Sequence, residues 1–479
     1  MAEHPLIGKP IGTHSSHHPD SVSEKNERIS LKTLIIIATV WDALVVAVGM
    51  SYDPPFLNTT GLTSPPPQLM NVFYPNEAMF FHALAIPFIA ILSYTTLIVC
   101  NVKDPLRAVI KITITGSFVL ASPAALYLMF NGWGSSAASG ILWIGLALGM
   151  LSALVLIGSL WPKKNREQEE FNLRGRNLAS LCICLAVIGI LSATMVGAYA
   201  STGDPQWGAT TNIAHGALLA ATHIHVVITI IDAALVGLIV KVFRADKYKG
   251  IPGLFVKLGL YGTLLGIPTT TIATYATVPM GIEAHNGIEA FAAILLQSAL
   301  FVTYAVMFVE AKRLGIRSPL GLLKNLMTFG MLFILFWVNV VVTLPGIYVA
   351  INISRFTGQP NEQVFITGHE HILVTLTALT LLMLIARVYQ VKGKLSVISG
   401  FLLTAGYLVS TAATIPFMFY NWDVYTSPYV PYIMGGIVLM IIGVVITLIS
   451  LGLCKTDPTK PDTEGLANLR EEEKTIAIK

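Results

Sequence analysis

Runs of apolar residues, each long enough to cross the roughly 30 Å hydrocarbon core of a bilayer, follow one another along this chain and leave room for little else. They fall at about residues 30–51, 77–100, 107–130, 138–161, 177–200, 211–240, 253–277, 287–311, 326–352, 364–388, 396–419 and 430–454. A backbone in hydrocarbon must satisfy its own polar groups, so such runs restrict the chain to membrane-spanning helices. Composition agrees. Of the 479 residues 54% are hydrophobic and 12% charged, against about 25% charged in a soluble domain. The reading is an all-α, polytopic membrane protein of about twelve transmembrane helices.

The connections between the runs alternate in charge. Segments 101–107, 162–176, 241–249, 312–324, 387–394 and the tail from Lys455 carry nearly all the lysine and arginine. The opposite connections, 52–76, 131–137, 201–210, 278–286, 353–363 and 420–429, carry only Arg355. By the positive-inside rule both termini are cytoplasmic, in a cell-membrane protein. The organisation is then a cytoplasmic N-terminal tail over 1–29, a membrane domain over 30–454 and a cytoplasmic tail over 455–479. The first tail holds His4, His14, His17 and His18 but no apolar core, so it reads as an extension and not as a cleaved signal. The Pro-rich outer loop around Pro65-Pro66-Pro67 reads as an interfacial cover. Asn58-Thr-Thr and Asn352-Ile-Ser form glycosylation tripeptides on the same side.

Several function classes drop out. No Gly-rich phosphate loop or nucleophile elbow stands out, and the basic residues do not cluster with aromatics as nucleic-acid binding requires. Cys100, Cys182, Cys184 and Cys454 all lie in or at the ends of apolar runs. None sits in a Cys-x-x-Cys-His context, so they read as small buried apolar residues.

The histidines are the chemistry. His82, His215, His223, His225, His285, His369 and His371 all fall in the outer half of a run or at its outer boundary. His223 and His225 open one run, and His369 and His371 another. Positions two apart on a helix are turned by about 200° at nearly one depth, so one helix offers ligands to cofactors on both its sides. Imidazole is the commonest axial ligand of haem iron, and ionisable residues at membrane depth mark functional sites.

Twelve spans, a His early in span 2, His in span 6 and His-x-His early in span 10 resemble subunit I of the haem–copper oxidase and nitric oxide reductase superfamily. The likeness covers almost the whole chain in topology and spacing, not in local sequence. It implies a haem–copper-oxidase-like bundle in which His82 and His371 hold a low-spin haem and His369 a second haem. The family's metal beside that second haem takes a His from span 6, here His223 or His225, and an adjacent His pair from span 7. This chain has Thr269, Thr270 and Thr271 there, and hydroxyls are poor ligands for copper or iron. Span 6 also lacks His-x-x-x-Tyr and His-x-x-x-Glu, and the loop before span 12, Tyr420-Asn-Trp-Asp-Val-Tyr, lacks paired arginines.

Two arrangements repair the gap. His285 folds back to join His223 or His225 around a copper or non-haem iron, or His223 or His225 ligates the second haem opposite His369. Proton supply has its own candidates. Asp232 lies seven residues beyond His225 on the same stripe, and Lys257 starts a polar stripe with Tyr261, Thr263 and Thr269–Thr271. Asp42 and Glu77 are isolated acids in or near the membrane. The resemblance thus implies a subunit with two b-type haems in a respiratory electron-transfer complex. Its partners would be other membrane or cytochrome subunits, a quinol or cytochrome donor, and lipid. A terminal oxidase or nitric oxide reductase with an unusual metal site is the catalytic alternative. A cofactor-free proton-coupled transporter is the alternative from another class.

Overall fold

A computed structural model describes residues 29–51, 75–131, 135–161, 177–203, 213–314, 318–338, 343–352, 362–420 and 426–456. For several helical stretches, 213–225, 274–286 and 369–371 among them, the description is of backbone alone. The described residues are mostly helical and form no strand. The helices are α1 (Leu31–Ser51), α2 (Pro75–Val99), α3 (Leu106–Asn131), α4 (Ser136–Leu160), α5 (Leu178–Gly203), α6 (Ile213–Val242) and α7 (Gly250–Leu296). After them come α8 (Ala299–Arg313), α9 (Leu326–Val338), α10 (Leu344–Ile351), α11 (Glu362–Val388), α12 (Lys394–Tyr420) and α13 (Val430–Leu453). The Pro-rich outer loop and both tails lie outside the described residues.

Nine helical segments among the described residues are long and apolar enough to cross a membrane. They lie in α1 to α5, at Gly250–Ala273, at Ala290–Arg313, and in α12 and α13. The chain is an all-α polytopic membrane protein. Bulky apolar residues such as Ile37, Ile112 and Leu265 stand on the outside of the bundle, where hydrocarbon and not water is their solvent. Of the other three expected spans, α6 and α11 are 30 and 27 residues long. Of the run at 326–352 the structure describes α9 and α10, and residues 339–342 between them lie outside the described set.

The 47-residue α7 cannot be straight. A Cβ added at Gly266 would lie 2.6 Å from Leu296 Cγ, whereas thirty residues of straight helix span about 45 Å. The segment therefore folds back on itself between its two membrane-crossing arms. Ser298 closes the fold by donating across to the Gly259 carbonyl at 3.0 Å.

Neighbours in sequence pack side by side from α1 through α7, and α13 returns to touch α1. α11 stands inside this circuit and contacts α2, α6, α9, α12 and α13. With no hydrophobic drive between helices in lipid, close approach depends on small residues. A Cβ on Gly406 of α12 would lie 2.6 Å from the Gly436 carbonyl of α13, and one on Gly145 of α4 would lie 2.6 Å from Ala121 Cβ of α3.

Helix α2 shows how the bundle handles a broken ladder. Pro87 lies inside it and has no N–H, which frees the carbonyl four residues back, that of Ala83. Ser122 of α3, fully buried, donates to that carbonyl at 2.7 Å. Trp41 of α1 donates in turn to the Ser122 hydroxyl at 2.7 Å. Three helices are thus tied together one residue beyond His82. Ser122→Ala should cost ~1 kcal/mol of unfolding stability, the range for hydrogen bonds inside membranes, because the Ala83 carbonyl loses its donor. Trp41→Phe should cost less, since Ser122 keeps its bond. Reversible unfolding of the purified protein in mixed micelles measures both, and an equal loss would contradict the chain of donors.

Candidate functional site

Three of the helices that carry membrane histidines pack against one another: α2 against α6, α2 against α11 and α6 against α11. Their order of level can be read from contacts nearer their inner ends. Thr377 Oγ1 of α11 lies 2.8 Å from Asp232 Oδ1 of α6. Further in, the Arg387 guanidinium of α11 stands over the Phe243 ring just beyond α6, 5.5 Å from its centre. These contacts are eleven residues apart on the α6 side (Asp232 to Phe243) and ten on α11 (Thr377 to Arg387), in the same chain direction. The two helices therefore run parallel and in register. Carried outward at 1.5 Å per residue, that register brings positions 223, 225, 369 and 371 within ~5 Å of one another in depth.

Helix α2 joins the same frame. Cys100, one residue past its end, is near enough to Lys241 of α6 for that charge to act on it. Burial pushes the Cys100 thiol up to about 11, and Lys241 offsets part of the rise. His82, His225 and His371 each stand seventeen residues before the last residue of their helix, Val99, Val242 and Val388. That is ~25 Å from each inner end. Three histidine positions thus share one spacing from the ends of their helices.

The His82 side chain is half-buried. The side chains of His215, His223, His225, His285, His369 and His371, and that of Glu77, lie outside the described residues; their helical backbones give the levels above. No group of three or more His, Cys, Asp or Glu suited to a metal ion forms among the described residues.

The polar stripe of α7 divides between two faces. Thr263 and Thr270 are fully buried, whereas Tyr261 is 40% exposed and Thr269 is half-buried. Lys257 is half-buried on the first arm. Thr269 and Thr271 donate to the carbonyls of Leu265 and Ile267 in their own helix, at 2.8 and 2.9 Å. In α1, Asp42 Oδ1 is buried with no hydrogen-bond partner. All four cysteines are free, with Cys182 and Cys184 buried.

Two residues that the sequence reading passed over belong here. Thr377 meets Asp232, and the fully buried Tyr407 of α12 donates to the Ile372 carbonyl of α11 at 3.3 Å and stands in electrostatic range of Asp232. Both are ordinary polar residues in apolar runs, and only the packing shows which helix they face.

The C-terminal ends of α6, α8 and α11 meet around Glu310, which is buried. Arg313 pairs with one of its oxygens, and Arg387 stands 3.7 Å from the other. Arg313 also lies over the Tyr248 ring, 5.8 Å from its centre. Burial, joined by the Glu310 charge, pushes the Tyr248 hydroxyl up. Both guanidiniums reach water, so Glu310→Gln should cost ~1 kcal/mol or less. Arg313→Met leaves the buried carboxylate with the longer contact alone and should cost ~2 kcal/mol. Unfolding of the two variants side by side gives the order, and a larger loss for Glu310→Gln would contradict it.

No protein family, curated protein or solved structure matches this chain.

Proposed function

We propose that this chain is a twelve-span, haem–copper-oxidase-like membrane subunit that carries two b-type haems and passes electrons within a respiratory complex of the cell membrane. The observation that carries the reading is the common level of His82, His225 and His371 on three mutually packed, inward-running helices. A haem needs two opposed imidazoles at one depth, and the similar backbone level of these positions supports that reading. His82 and His371 would hold the low-spin haem between α2 and α11. His369, with His223 or His225, would hold the other between α11 and α6. When bound, the haems supply one-electron carriage. The chain's own part is to present the imidazoles at fixed height and to exclude water with the surrounding apolar helices.

A copper or non-haem iron beside the second haem fits less well. Thr269 and Thr271 direct their hydroxyl protons to their own backbone. A metal would have to rely on His223, His225 and His285. The electron-transfer reading therefore stands ahead of an oxygen- or nitric oxide-reducing one. Other membrane or cytochrome subunits, with quinol or a cytochrome as donor, are the partners this role requires, and both termini would be cytoplasmic. The competing reading, a cofactor-free proton-coupled transporter, draws on the membrane carboxyl of Asp232 and on Lys257.

The level argument is tested by single substitutions in the purified protein. His82→Ala and His371→Ala should each abolish the low-spin haem absorption, while His215→Ala, ten residues before His225 on α6, should keep it. An unchanged low-spin spectrum in both of the first two variants would overturn the assignment.

A further inference from the structure

The contact between Asp232 and Thr377 contains more than a register mark. Thr377 Oγ1 lies 2.8 Å from Asp232 Oδ1 and 2.7 Å from the Leu373 carbonyl of its own helix. Both partners are acceptors if Asp232 is ionised, yet a threonine hydroxyl has one proton to give. Elsewhere in the bundle the choice is plain. Thr95, Thr96, Thr263, Thr404, Thr414 and Thr447 each donate to the carbonyl four residues back, at 2.7 or 2.8 Å. Thr377 makes that same contact, and we assign its single proton to Leu373.

Two oxygens 2.8 Å apart need a proton between them. With the Thr377 proton on Leu373, the proton in the gap has to come from the carboxyl. A neutral acid also answers the cost of an isolated charge within the membrane. We propose that Asp232 is a protonated carboxylic acid at neutral pH, donating to Thr377, and that Asp232 and Thr377 form a proton-binding site between α6 and α11.

The site is continuous: Asp232 donates to Thr377, Thr377 donates to Leu373, and Tyr407 donates to the next carbonyl, that of Ile372. Tyr407 is the titratable neighbour in electrostatic range. On the other helices packed against α6, the titratable groups described within the bundle include Lys257 of α7, Cys182 of α5 and His82 of α2. Loss of the proton would require the Thr377 hydroxyl to turn from Leu373 to Asp232, so the charge state of one helix is read by the hydroxyl of another. The proposal goes beyond the haem reading and does not depend on it.

The test is infrared absorption of the purified full chain at neutral pH, with haem quantified in the same sample. The wild type should show the carbonyl stretch of a neutral carboxylic acid that is lost in Asp232→Asn and kept in Asp42→Asn, the other buried aspartate. In Thr377→Val that band should remain and shift upward, because the acid has lost its acceptor. Loss of a carboxylate band in Asp232→Asn, with no acid band removed, would overturn the proposal. Asparagine is isosteric and can donate to Thr377 as the acid does. Should it nevertheless fail to accumulate, an unshifted acid spectrum in Thr377→Val overturns the proposal by itself. Neither readout depends on whether the sample is coloured.

Discussion

In hydrocarbon a carbonyl without a donor has no water to turn to, and that constraint shapes this molecule at every level. It explains why the described chain is helical and why its buried hydroxyls mostly fold back on their own helices. It also explains why exceptions to that habit mark joints. Where Pro87 frees the Ala83 carbonyl, a serine and a tryptophan from two other helices converge on the gap. A flaw in one helix thereby becomes a tie among three, next to the histidine that the proposed function most needs in place.

The same reasoning links packing to function. Parallel helices slide easily past one another when only apolar surfaces meet. The Asp232–Thr377 contact and the Arg387–Phe243 contact remove that freedom for α6 and α11 by fixing them at two heights. Register set in the C-terminal halves is carried back along stiff helices, so the histidine levels follow from contacts about two turns away. The inner cluster around Glu310 holds the lower end of the same helices. A pair of imidazoles can serve one cofactor only if such a frame holds them at equal depth.

Much of this was legible in the sequence, though unevenly. Apolar length placed the helices closely: the runs expected at 107–130 and 430–454 became Leu106–Asn131 and Val430–Leu453. The histidine positions were legible because so few polar residues interrupt these runs. Partners across helices were not. Asp232 announces itself in an apolar stretch, but nothing in the order of residues ties it to Thr377, since threonine is at home in a membrane helix whatever it faces. The division of the α7 polar stripe was hidden for a similar reason. Thr269, Thr270 and Thr271 are identical in sequence terms, and only the neighbouring helix decides which of them points inward.

The central claim is that the shared histidine level exists to hold haem, and its most direct test is the reduced-minus-oxidised absorption spectrum of the purified protein with haem quantified per chain, followed by carbon monoxide. Only a five-coordinate ferrous haem binds the gas readily. The account predicts two b-type haems per chain and no change on adding carbon monoxide. A colourless protein would contradict it.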